Sequence, residues 1–599
     1  MSDFKGVLIE DSRLQLTDEI KFGVMCGASQ SNFQPYNAVS TSNSNVNFNI
    51  SVGSENLIID RHLLIQAEIN FTVNCANVPI PDPDAVVNPE GIAFNWGWTE
   101  GFGLLPIQSL MQSCSCTINN TTVTNNVIDI LAMVSRLNDS RILSSYNSTT
   151  ASMPDDSYCQ YSDGVGATNN PLSSYNNSGF DSDFTGRASL NTEIVVVHQI
   201  YGGAIDNSLI STSLGDTWKI YIKAMITEPF VCMSPWIGMS PSDDPGLMGI
   251  SNITFNMQLD SNLNRMFRTA NATVNAGFIT PSYITSVVPG TNVGGSSQPN
   301  VLNDCRLLFN FLSMQPDQAA RLKSSRNIVP YLEYPRFIST ATTNPIIPSK
   351  GTYRLQSQSL QFNMVNDLIL VAVRIPMSSQ SYANSDSWLT ITGVSISYNN
   401  QSGILASCDP TQLFNISKRN GSGQNYQEFG GLATNGSAVS GAIQIGTTGS
   451  LLVLNPALDF NLDPSLASSS LGQFQFQISI SCYNQYNFAV QPEIILVCVN
   501  SGIFVTMNGT SEIQKGILTR DMVLKVKQES PASALTTSEL QRLVGGKMHH
   551  RGMFNSYPLA HHYKHYKPHA QREGGAVSGG SAVHSGGAIS GGRLARYKK

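Results

Sequence analysis

The sequence has little charge for its size. Only 13% of its 599 residues are Asp, Glu, Lys or Arg, which is about half the share that is usual in soluble domains. The hydrophobic fraction of 41% is close to normal, so neutral polar residues have replaced the missing charges. Surfaces of Asn, Ser, Thr and Gln are easier to desolvate than surfaces of Lys and Glu. This composition favours a protein whose faces are covered by identical neighbours, although a secreted adhesin would share it.

Cysteine motifs are missing too. The ten cysteines include no Cys-x-x-Cys pair, and the close pair Cys114 and Cys116 has neither zinc-knuckle nor redox spacing. We therefore predict reduced, mostly buried thiols in an intracellular product.

Secretory and membrane signals are not evident. The N-terminal "MSDFKGVLIEDSRLQLTDE" mixes acids and bases and lacks the apolar core of a signal peptide. No apolar run approaches the roughly 18 residues that cross a bilayer, so we expect no membrane span. Asn-x-Ser/Thr triplets, such as the one at Asn70, follow from the composition, and we do not expect glycosylation.

Catalytic signatures are absent as well. The sequence contains no Gly-x-Ser-x-Gly, no His-Glu-x-x-His and no phosphate-binding loop. His198 lies in the apolar stretch "VVVHQIY", where a core histidine is the expected interpretation. The run "HHYKHYKPH" at 561–569 could bind a transition metal as any His-rich tract can, but such binding is usually incidental. We predict that the protein is not an enzyme and has no catalytic, cofactor-binding or metal site.

Alternation of polar and apolar residues dominates what is present. A period of two places alternate side chains on opposite faces of a strand. Half-buried strands are predicted at 45–52, 217–226, 252–259, 359–364 and 472–481. "WLTITGVSISY" changes register at Gly393, which indicates a β-bulge. Strands buried on both faces are predicted from three continuously apolar runs, "EIVVVHQIY", "DLILVAVRI" and "EIILVCV".

Helix signals are few. Asp409 and Gln412 form a capping-box pattern before "LFNISKRNG". A second helix is predicted from Asn126, with Ile128, Leu131 and Ala132 on one face. The stretch 287–300 has the Gly, Pro and Ser content of a linker, and 78–95 and 138–185 are predicted as large surface loops. These patterns predict an all-β fold of two tandem β-sandwiches, either jelly rolls or immunoglobulin-like sandwiches.

The composition changes at Gly545 and Gly546. Residues 547–599 contain nine Lys and Arg against the single acid Glu573, whereas the preceding residues contain 26 bases against 40 acids. Such a tail indicates a separate interaction or processing segment, and its bases predict a non-specific contact with DNA. In another interpretation "LTTSELQRLVGG" is a short helix, capped at Thr536 and ended by Gly545.

Several segments resemble one protein family. The run "ISYNNQSGILASCDPTQLFNISKRNGSGQNYQEFGG" at 396–431 resembles the second jelly roll of major capsid proteins from virophages and Polinton-like viruses. Further matches, in order along the chain, are "NNPL" at 169–172, "FNMQLDSNLNRMF" at 255–267 and "YPRF" at 334–337. The likeness extends over roughly residues 30–510, and this collinearity is more specific than any single motif.

The resemblance implies a double jelly-roll capsid protein. Its first jelly roll, with an N-terminal arm, would span 1–290, its second 291–530, and a C-terminal helix and basic tail 531–599. Three copies would form a pseudo-hexameric trimer, and trimers would build an icosahedral shell around double-stranded DNA. Expected partners are neighbouring capsomers, a penton protein and minor capsid proteins, in a virion assembled inside the host cell.

The resemblance also implies proteolytic processing by a viral cysteine protease. Such proteases cut after a Leu, Ile or Met, any residue and two glycines. The matching residues are Leu543, Gly545, Gly546, Lys547, Ile589, Gly591, Gly592 and Arg593. Two glycines suit a narrow cleft that closes over bare backbone.

Two rival functions remain open from the residues alone. A secreted or surface β-sandwich adhesin or lectin would bind glycans as a monomer. A nucleic-acid-binding protein acting through 547–599 would lose its affinity when that tail is deleted.

Overall fold

In the computed structural model, the described residues lie between Val7 and Gly516, all within the unit Met1–Ser556. Between them the description omits 10–21, 25–29, 54–56, 79–91, 95, 97–99, 138–145, 147–148, 152–191, 200–204, 207–209, 212–215, 237–244, 270–281, 294–295, 314–325, 340–343, 383, 438–440, 464–465 and 508. The predicted loops at 78–95 and 138–185, the "NNPL" match and the tail therefore lie wholly or mostly outside the described residues.

The first half of the chain contains the described strands β1 to β21. They are β1 Val7–Ile9, β2 Phe22–Val24, β3 Gln30–Asn37, β4 Ser40–Thr41, β5 Asn45–Ser51, β6 Leu57–Ile59, β7 Leu64–Val78, β8 Ile92–Ala93, β9 Glu100–Phe102, β10 Met111–Ile118, β11 Thr121–Asn125, β12 Thr192–Gln199, β13 Ile205–Asp206, β14 Ile210–Ser211, β15 Asp216–Pro229, β16 Asn252–Leu259, β17 Phe267–Thr269, β18 Ile284–Pro289, β19 Thr291–Val293, β20 Ser296–Gln298 and β21 Leu302–Ser313.

The second half contains β22 to β34. They are β22 Asn327–Glu333, β23 Arg336–Ile338, β24 Thr352–Gln356, β25 Leu360–Met364, β26 Leu368–Arg374, β27 Thr390–Tyr398, β28 Gln401–Ile404, β29 Leu432–Ser437, β30 Gly441–Gly446, β31 Leu452–Leu454, β32 Leu471–Tyr483, β33 Glu493–Met507 and β34 Thr510–Lys515. The described α-helices are α1 Pro106–Ser109, α2 Val127–Val134, α3 Pro410–Arg419, α4 Tyr426–Phe429 and α5 Pro456–Asp459, and 3₁₀ turns lie at Ser135–Leu137, Leu263–Arg265 and Met377–Ser379.

The first sandwich packs two antiparallel sheets face to face. A five-stranded sheet has the order β11-β10-β16-β5-β4, and an eight-stranded sheet has the order β13-β12-β15-β7-β21-β3, with β18 beside β7 and β6 beside β21. Trp236 links the two sheets, because its ring lies 6.0 Å from that of Phe255 on β16 and 5.6 Å from that of Phe309 on β21. The sandwich core lies between these sheets.

The second sandwich repeats this plan. A six-stranded sheet has the order β22-β33-β26-β31, with β23 and β34 beside β33, and a five-stranded sheet has the order β24-β32-β27-β28, with β25 beside β32. Phe337 on β23 and Phe362 on β25 bring their rings within 5.4 Å of each other across the core. The prediction of two β-sandwiches is therefore confirmed.

The sequence periodicity accounts for individual strands. In β5 the alternating residues Val46, Phe48 and Ile50 are buried and the intervening Asn and Ser residues are not. The bulge predicted at Gly393 is confirmed, because the pairing of β27 with β32 shifts between Ile391 and Gly393. The capping box of α3 is also confirmed: the Asp409 side chain accepts from the Gln412 backbone N–H at 2.7 Å.

Three local predictions need correction. The stretch 287–300 is not a linker but forms the end of β18 and the hairpin β19–β20. Gly290 makes the turn between them with a φ of 89°, and a Cβ there would meet the Gln298 carbonyl oxygen at 2.6 Å. Helix α2 starts after Asn126 as predicted but is buried on nearly all sides, and Ile128 is its partly exposed residue. In β12, near a sheet edge, Ile194 and Val195 are only half-buried.

The domain boundary at residue 290 remains a prediction. Strand β21 pairs with β7 and β3, which are strands of the first sandwich. The pairing therefore favours a boundary between Ser313 and Asn327.

Candidate functional site

The central strands of the six-stranded sheet in the second sandwich are buried on both faces. Every residue of β26 is buried. On β26 and β33, one set of alternate side chains packs into the core of the second sandwich: Ile369, Val371, Val373, Ile494, Leu496 and Cys498. The other set packs into a core that is continuous with the first sandwich: Leu368, Leu370, Ala372, Ile495, Val497 and Val499. We call this second contact the joint between the sandwiches.

Helix α2 lies at this joint. Its buried residues Val127, Ile130 and Leu131 belong to the same continuous core as Leu370 and Val497. Each buried aliphatic side chain contributes about 1.5–3 kcal/mol relative to an exposed one. The joint therefore has the packing of a domain interior.

A buried ionic network crosses the joint. Asp129 of α2 accepts a hydrogen bond from Arg374 Nη2 at 2.6 Å and forms an ion pair with Arg336. Arg374 Nε donates to Glu493 Oε1 at 2.7 Å, and these two residues are cross-strand partners. The side chains of Asp129 and Arg374 are only 3% and 5% exposed. Two positive and two negative groups compensate one another, as buried charges require.

Further polar contacts hold other points of the joint. Arg265 Nε donates to Asp386 Oδ1 at 2.9 Å, and Arg268 Nη1 donates to the Ser385 hydroxyl at 2.8 Å. The guanidinium of Arg136 lies 4.6 Å above the ring centre of Trp388, within the range of a cation–π contact. Apolar, ionic and aromatic contacts thus all connect the two sandwiches.

Sequence reasoning missed this network, although a signal was present. Asp129 interrupts the apolar run "VIDILAMV", and Arg374 ends the apolar run of β26. A charge inside a buried apolar segment needs a partner of opposite charge. The sequence does not indicate which residues meet, because Asp129 and Arg374 are 245 positions apart.

Glu228 is a buried carboxyl group inside the first sandwich. Its oxygens accept hydrogen bonds from the backbone N–H groups of Ile107 and Gln108 at 2.6 and 3.0 Å. Burial raises the pKa of Glu228 to about 7, while these hydrogen bonds partly oppose the shift. The group is therefore poised to change its charge near neutral pH.

The cysteines fit the predicted pattern. The eight described cysteines form no disulfide, and seven of them are buried. Burial raises the pKa of the Cys116 thiol to about 12, although Trp236 Nε1 donates to its sulfur at 3.2 Å. Such thiols are unreactive. Across the described ranges, no group of three or more His, Cys, Asp or Glu residues is arranged to hold a metal.

The predicted processing residues lie outside the described part of the chain. This holds for Leu543, Gly545, Gly546 and Lys547, and for the second set from Ile589 to Arg593. The side chain of His198 also lies outside it. These assignments stay predictions.

Several large apolar side chains are exposed on the described surface. Phe33 is 77% exposed on β3, an edge strand that pairs on one side with β21. Val39 follows it at 71%, and Ile346 and Leu458 are 66% and 65% exposed in the second half. Single exposed apolar side chains are common on protein surfaces, and it is a contiguous patch that marks an association surface.

Family models match both halves of the chain. The first domain of the Sputnik virophage major capsid protein matches residues 2–312, more than half of the chain, and the C-terminal domain of major capsid protein V20 matches residues 334–502. The chain belongs to the family of the Sputnik virophage major capsid protein. The putative capsid protein V20 of the Sputnik virophage is 26% identical over 561 residues, covering 90% of this chain and 84% of that protein.

Solved structures share the fold of this family member. A chain of the Sputnik virophage structure determined by cryo-EM superposes with a TM-score of 0.68 at 20% identity, covering 91% of this chain and all of that one. The mavirus major capsid protein gives 0.59 at 15% identity, covering 88% and 98%. The two sandwiches are therefore jelly rolls, and the prediction of a double jelly roll is confirmed.

Family membership determines the class of function. The protein is a structural capsid protein that forms the shell of the virion and associates with copies of itself, and it is not an enzyme. The adhesin alternative is therefore wrong. Within the part of the chain that the structure describes, no helix has the length and apolar character needed to cross a membrane.

Proposed function

We propose that this chain forms pseudo-hexameric homotrimers that tile an icosahedral shell around double-stranded DNA. The observation that supports the proposal most is the joint, where one sheet packs into two cores at once. A rigid pair of similar barrels lets three copies present six barrels at near-equivalent positions. Closed symmetric assembly is the usual outcome when such a rigid unit associates with itself.

Surface chemistry supports the same assembly. The chain has few charges. Phe33 lies exposed on β3 at the edge of the eight-stranded sheet, and the exposed Val39 follows that strand. Association through this edge would bury apolar area at little cost in charge desolvation. We assign the β3 edge to contacts between copies.

The basic tail has two proposed roles. The Lys and Arg residues after Gly546 would attract DNA in a salt-dependent, sequence-independent way before cleavage. A viral cysteine protease would then cut after Gly546, and the same pattern offers a second cut after Gly592. A penton protein and minor capsid proteins would complete the shell. We also propose that the chain is related to the capsid proteins of Polinton-like viruses.

Electron microscopy of the purified chain tests the trimer. Negative-stain images are expected to show particles of pseudo-hexagonal outline, with a trimer mass by light scattering. A chain that stays monomeric even at high protein concentration would contradict the proposal. Intact mass of the chain from virions tests processing, because a C-terminus at Lys599 would contradict cleavage.

A further inference from the structure

A glutamate bridges a lysine and an asparagine on neighbouring strands of the eight-stranded sheet. Lys223 on β15 is the direct cross-strand partner of Asn70 on β7. Glu68 precedes Asn70 by two positions and so lies on the same sheet face. Lys223 Nζ lies 3.1 Å from Glu68 Oε2, and Asn70 Nδ2 donates to Glu68 Oε1 at 3.0 Å. One carboxylate therefore holds the amine and the amide next to each other.

The asparagine is enclosed by protein. Asn70 is fully buried, and its backbone N–H donates to the Val301 carbonyl at 2.7 Å. The Gly290 N–H donates to the Asn70 carbonyl oxygen at 2.9 Å, so the segment leading into the hairpin β19–β20 passes beside it. The side-chain oxygen of Asn70 is buried and has no hydrogen-bond partner, which is uncommon for a buried amide. Burial also excludes glycosylation at this Asn-x-Thr triplet.

We propose that Lys223 and Asn70 become joined by an intramolecular isopeptide bond, with Glu68 as the proton carrier. Glu68 takes a proton from the Lys223 ammonium, and the free amine attacks the Asn70 side-chain carbonyl carbon. Glu68 delivers that proton to Nδ2, the C–Nδ2 bond breaks, and ammonia leaves. The amide nitrogen keeps one hydrogen, so the second proton that Nζ loses passes to Glu68 and is taken up by the departing ammonia, which becomes ammonium. One C–N bond forms between Nζ and Cγ, and one C–N bond is lost. No oxidant, reductant or cofactor takes part.

The register brings the reacting groups to neighbouring positions on one face of the sheet. Cross-strand partners have their Cβ atoms about 4.5–5.5 Å apart, and reactants positioned side by side react with effective molarities far above those in solution. Glu68 is 12% exposed and Lys223 is 36% exposed, so water reaches the amine and ammonia can leave. The exposed Glu193 on β12 faces Lys223 from the other side and is its competing carboxylate.

The same two strands contain a matched pair that lacks the carboxylate. Lys219 is the cross-strand partner of Asn74, in the same register and on the same face. Two positions before Asn74 stands Thr72 instead of a glutamate, and Asn74 Nδ2 donates to Ser286 Oγ at 2.9 Å. The mechanism predicts no bond at this pair.

The bond would close residues 70 to 223 into a covalent loop. A cross-link of this kind restricts the unfolded chain and raises stability. It would tie together β7 and β15, which pair along most of their lengths. A shell subunit would gain resistance to unfolding without a disulfide.

Peptide mapping of the purified wild-type chain tests the bond directly. After tryptic digestion, mass spectrometry should find a branched peptide joining the segments that contain Lys223 and Asn70, lighter than the sum of its parts by one ammonia. Two separate peptides of full mass would overturn the proposal. Loss of ammonia without a branched peptide would indicate a succinimide at Asn70 and would overturn it too.

Three variants complete the test. Lys223→Arg keeps the charge but cannot form the amide, and Glu68→Gln keeps a hydrogen bond to Asn70 but cannot carry the proton, so both should lack the branched peptide. Lys219→Arg should retain it. A branched peptide in Glu68→Gln at the wild-type yield would overturn the role of Glu68. This test uses unassembled protein and does not depend on the proposed trimer, so the two proposals can fail separately.

Discussion

The eight-stranded and the six-stranded sheet differ in the number of hydrophobic cores that they pack against. In the eight-stranded sheet, β15 buries Trp218, Ile220 and Ile222 on one face, while Lys219 and Lys223 on the other face are exposed or half-buried. In the six-stranded sheet, β26 and most of β33 are buried on both faces. Sheets with one solvated face show alternation, and sheets covered on both faces do not.

This difference identifies the joint as part of the fold. The apolar runs at 368–373 and 494–499 are explained only when the first sandwich covers the outer face of the six-stranded sheet. A loosely tethered second domain would expose that face to water. The sequence of the second sandwich therefore requires that this face be covered.

Breaking the ionic network at the joint should give the largest effect. Asp129→Asn removes one of the two carboxylates of the network and leaves Arg374 and Arg336 with Glu493 alone. Loss of one partner of a buried pair costs about 3–5 kcal/mol. The free energy of unfolding from urea titration should fall by that amount.

A surface pair provides the control for this prediction. Lys515 and Glu333 form an ion pair with side chains about one-third exposed, and Lys515→Ala should cost only about 0.2–1 kcal/mol. Equal losses in the two variants would contradict the importance of the joint.

Truncating side chains on the two faces of the six-stranded sheet should cost similar amounts. Leu370 faces the joint and Leu496 faces the second core, and both are fully or almost fully buried. Leu370→Ala and Leu496→Ala should each lower the free energy of unfolding by about 2–5 kcal/mol. On the solvated face of β15, Lys219→Ala should change it by no more than about 0.5 kcal/mol. A small loss for Leu370→Ala alone would show that the joint is not packed.

The pH dependence of stability should show the titration of Glu228. Because burial raises its pKa to about 7, the folded state holds this proton more tightly than the unfolded state does. That stabilisation is complete below the unfolded pKa and is lost as the pH rises through about 7, for a total of roughly 3 kcal/mol.

Glu228→Gln removes this titration. Relative to the variant, the wild-type chain should lose stability between about pH 4.5 and pH 7 and then run parallel to it. Urea titrations across this interval and one unit above it measure the difference. Parallel curves throughout would show that the carboxyl titrates normally in the folded protein.

The smallest effect on stability is expected at the exposed edge. Phe33 is 77% exposed, so Phe33→Ser should leave the free energy of unfolding within about 0.5 kcal/mol of the wild type. Self-association measured by analytical ultracentrifugation should weaken, because the exposed ring is proposed to pack between copies. Gln34→Ser on the same strand is the matched control. If Phe33→Ser associates as strongly as the wild type, β3 does not contribute to the contact between copies.

Local patterns predicted much of the fold. The alternation in β5, the bulge at Gly393 and the capping box at Asp409 depend on neighbouring residues, so they could be derived directly from the sequence. The stretch 287–300 was predicted wrongly because the same glycine and serine signals mark linkers and tight hairpins. The contact of the hairpin with the sheet face decides between a linker and a hairpin, and the local sequence does not contain that contact.

The joint and the Lys223–Glu68–Asn70 cluster could not be predicted in the same way. Asp129 meets Arg374 and Arg336, and Lys223 meets Asn70, only through pairings distant in sequence. Composition and periodicity constrain which residues are buried, but they do not set which distant strands pair. The family resemblance predicted two jelly rolls in tandem, but it did not predict any residue of the ionic network.

Hydrogen exchange followed by mass spectrometry tests most directly whether the joint unites the sandwiches. Under mildly destabilising conditions, amides of β7 and β15 in the first sandwich and of β26 and β33 in the second are expected to open with the same free energy. Asp129→Asn should lower both by the same amount. Opening of β26 and β33 at a lower free energy, with β7 and β15 still protected, would contradict the account.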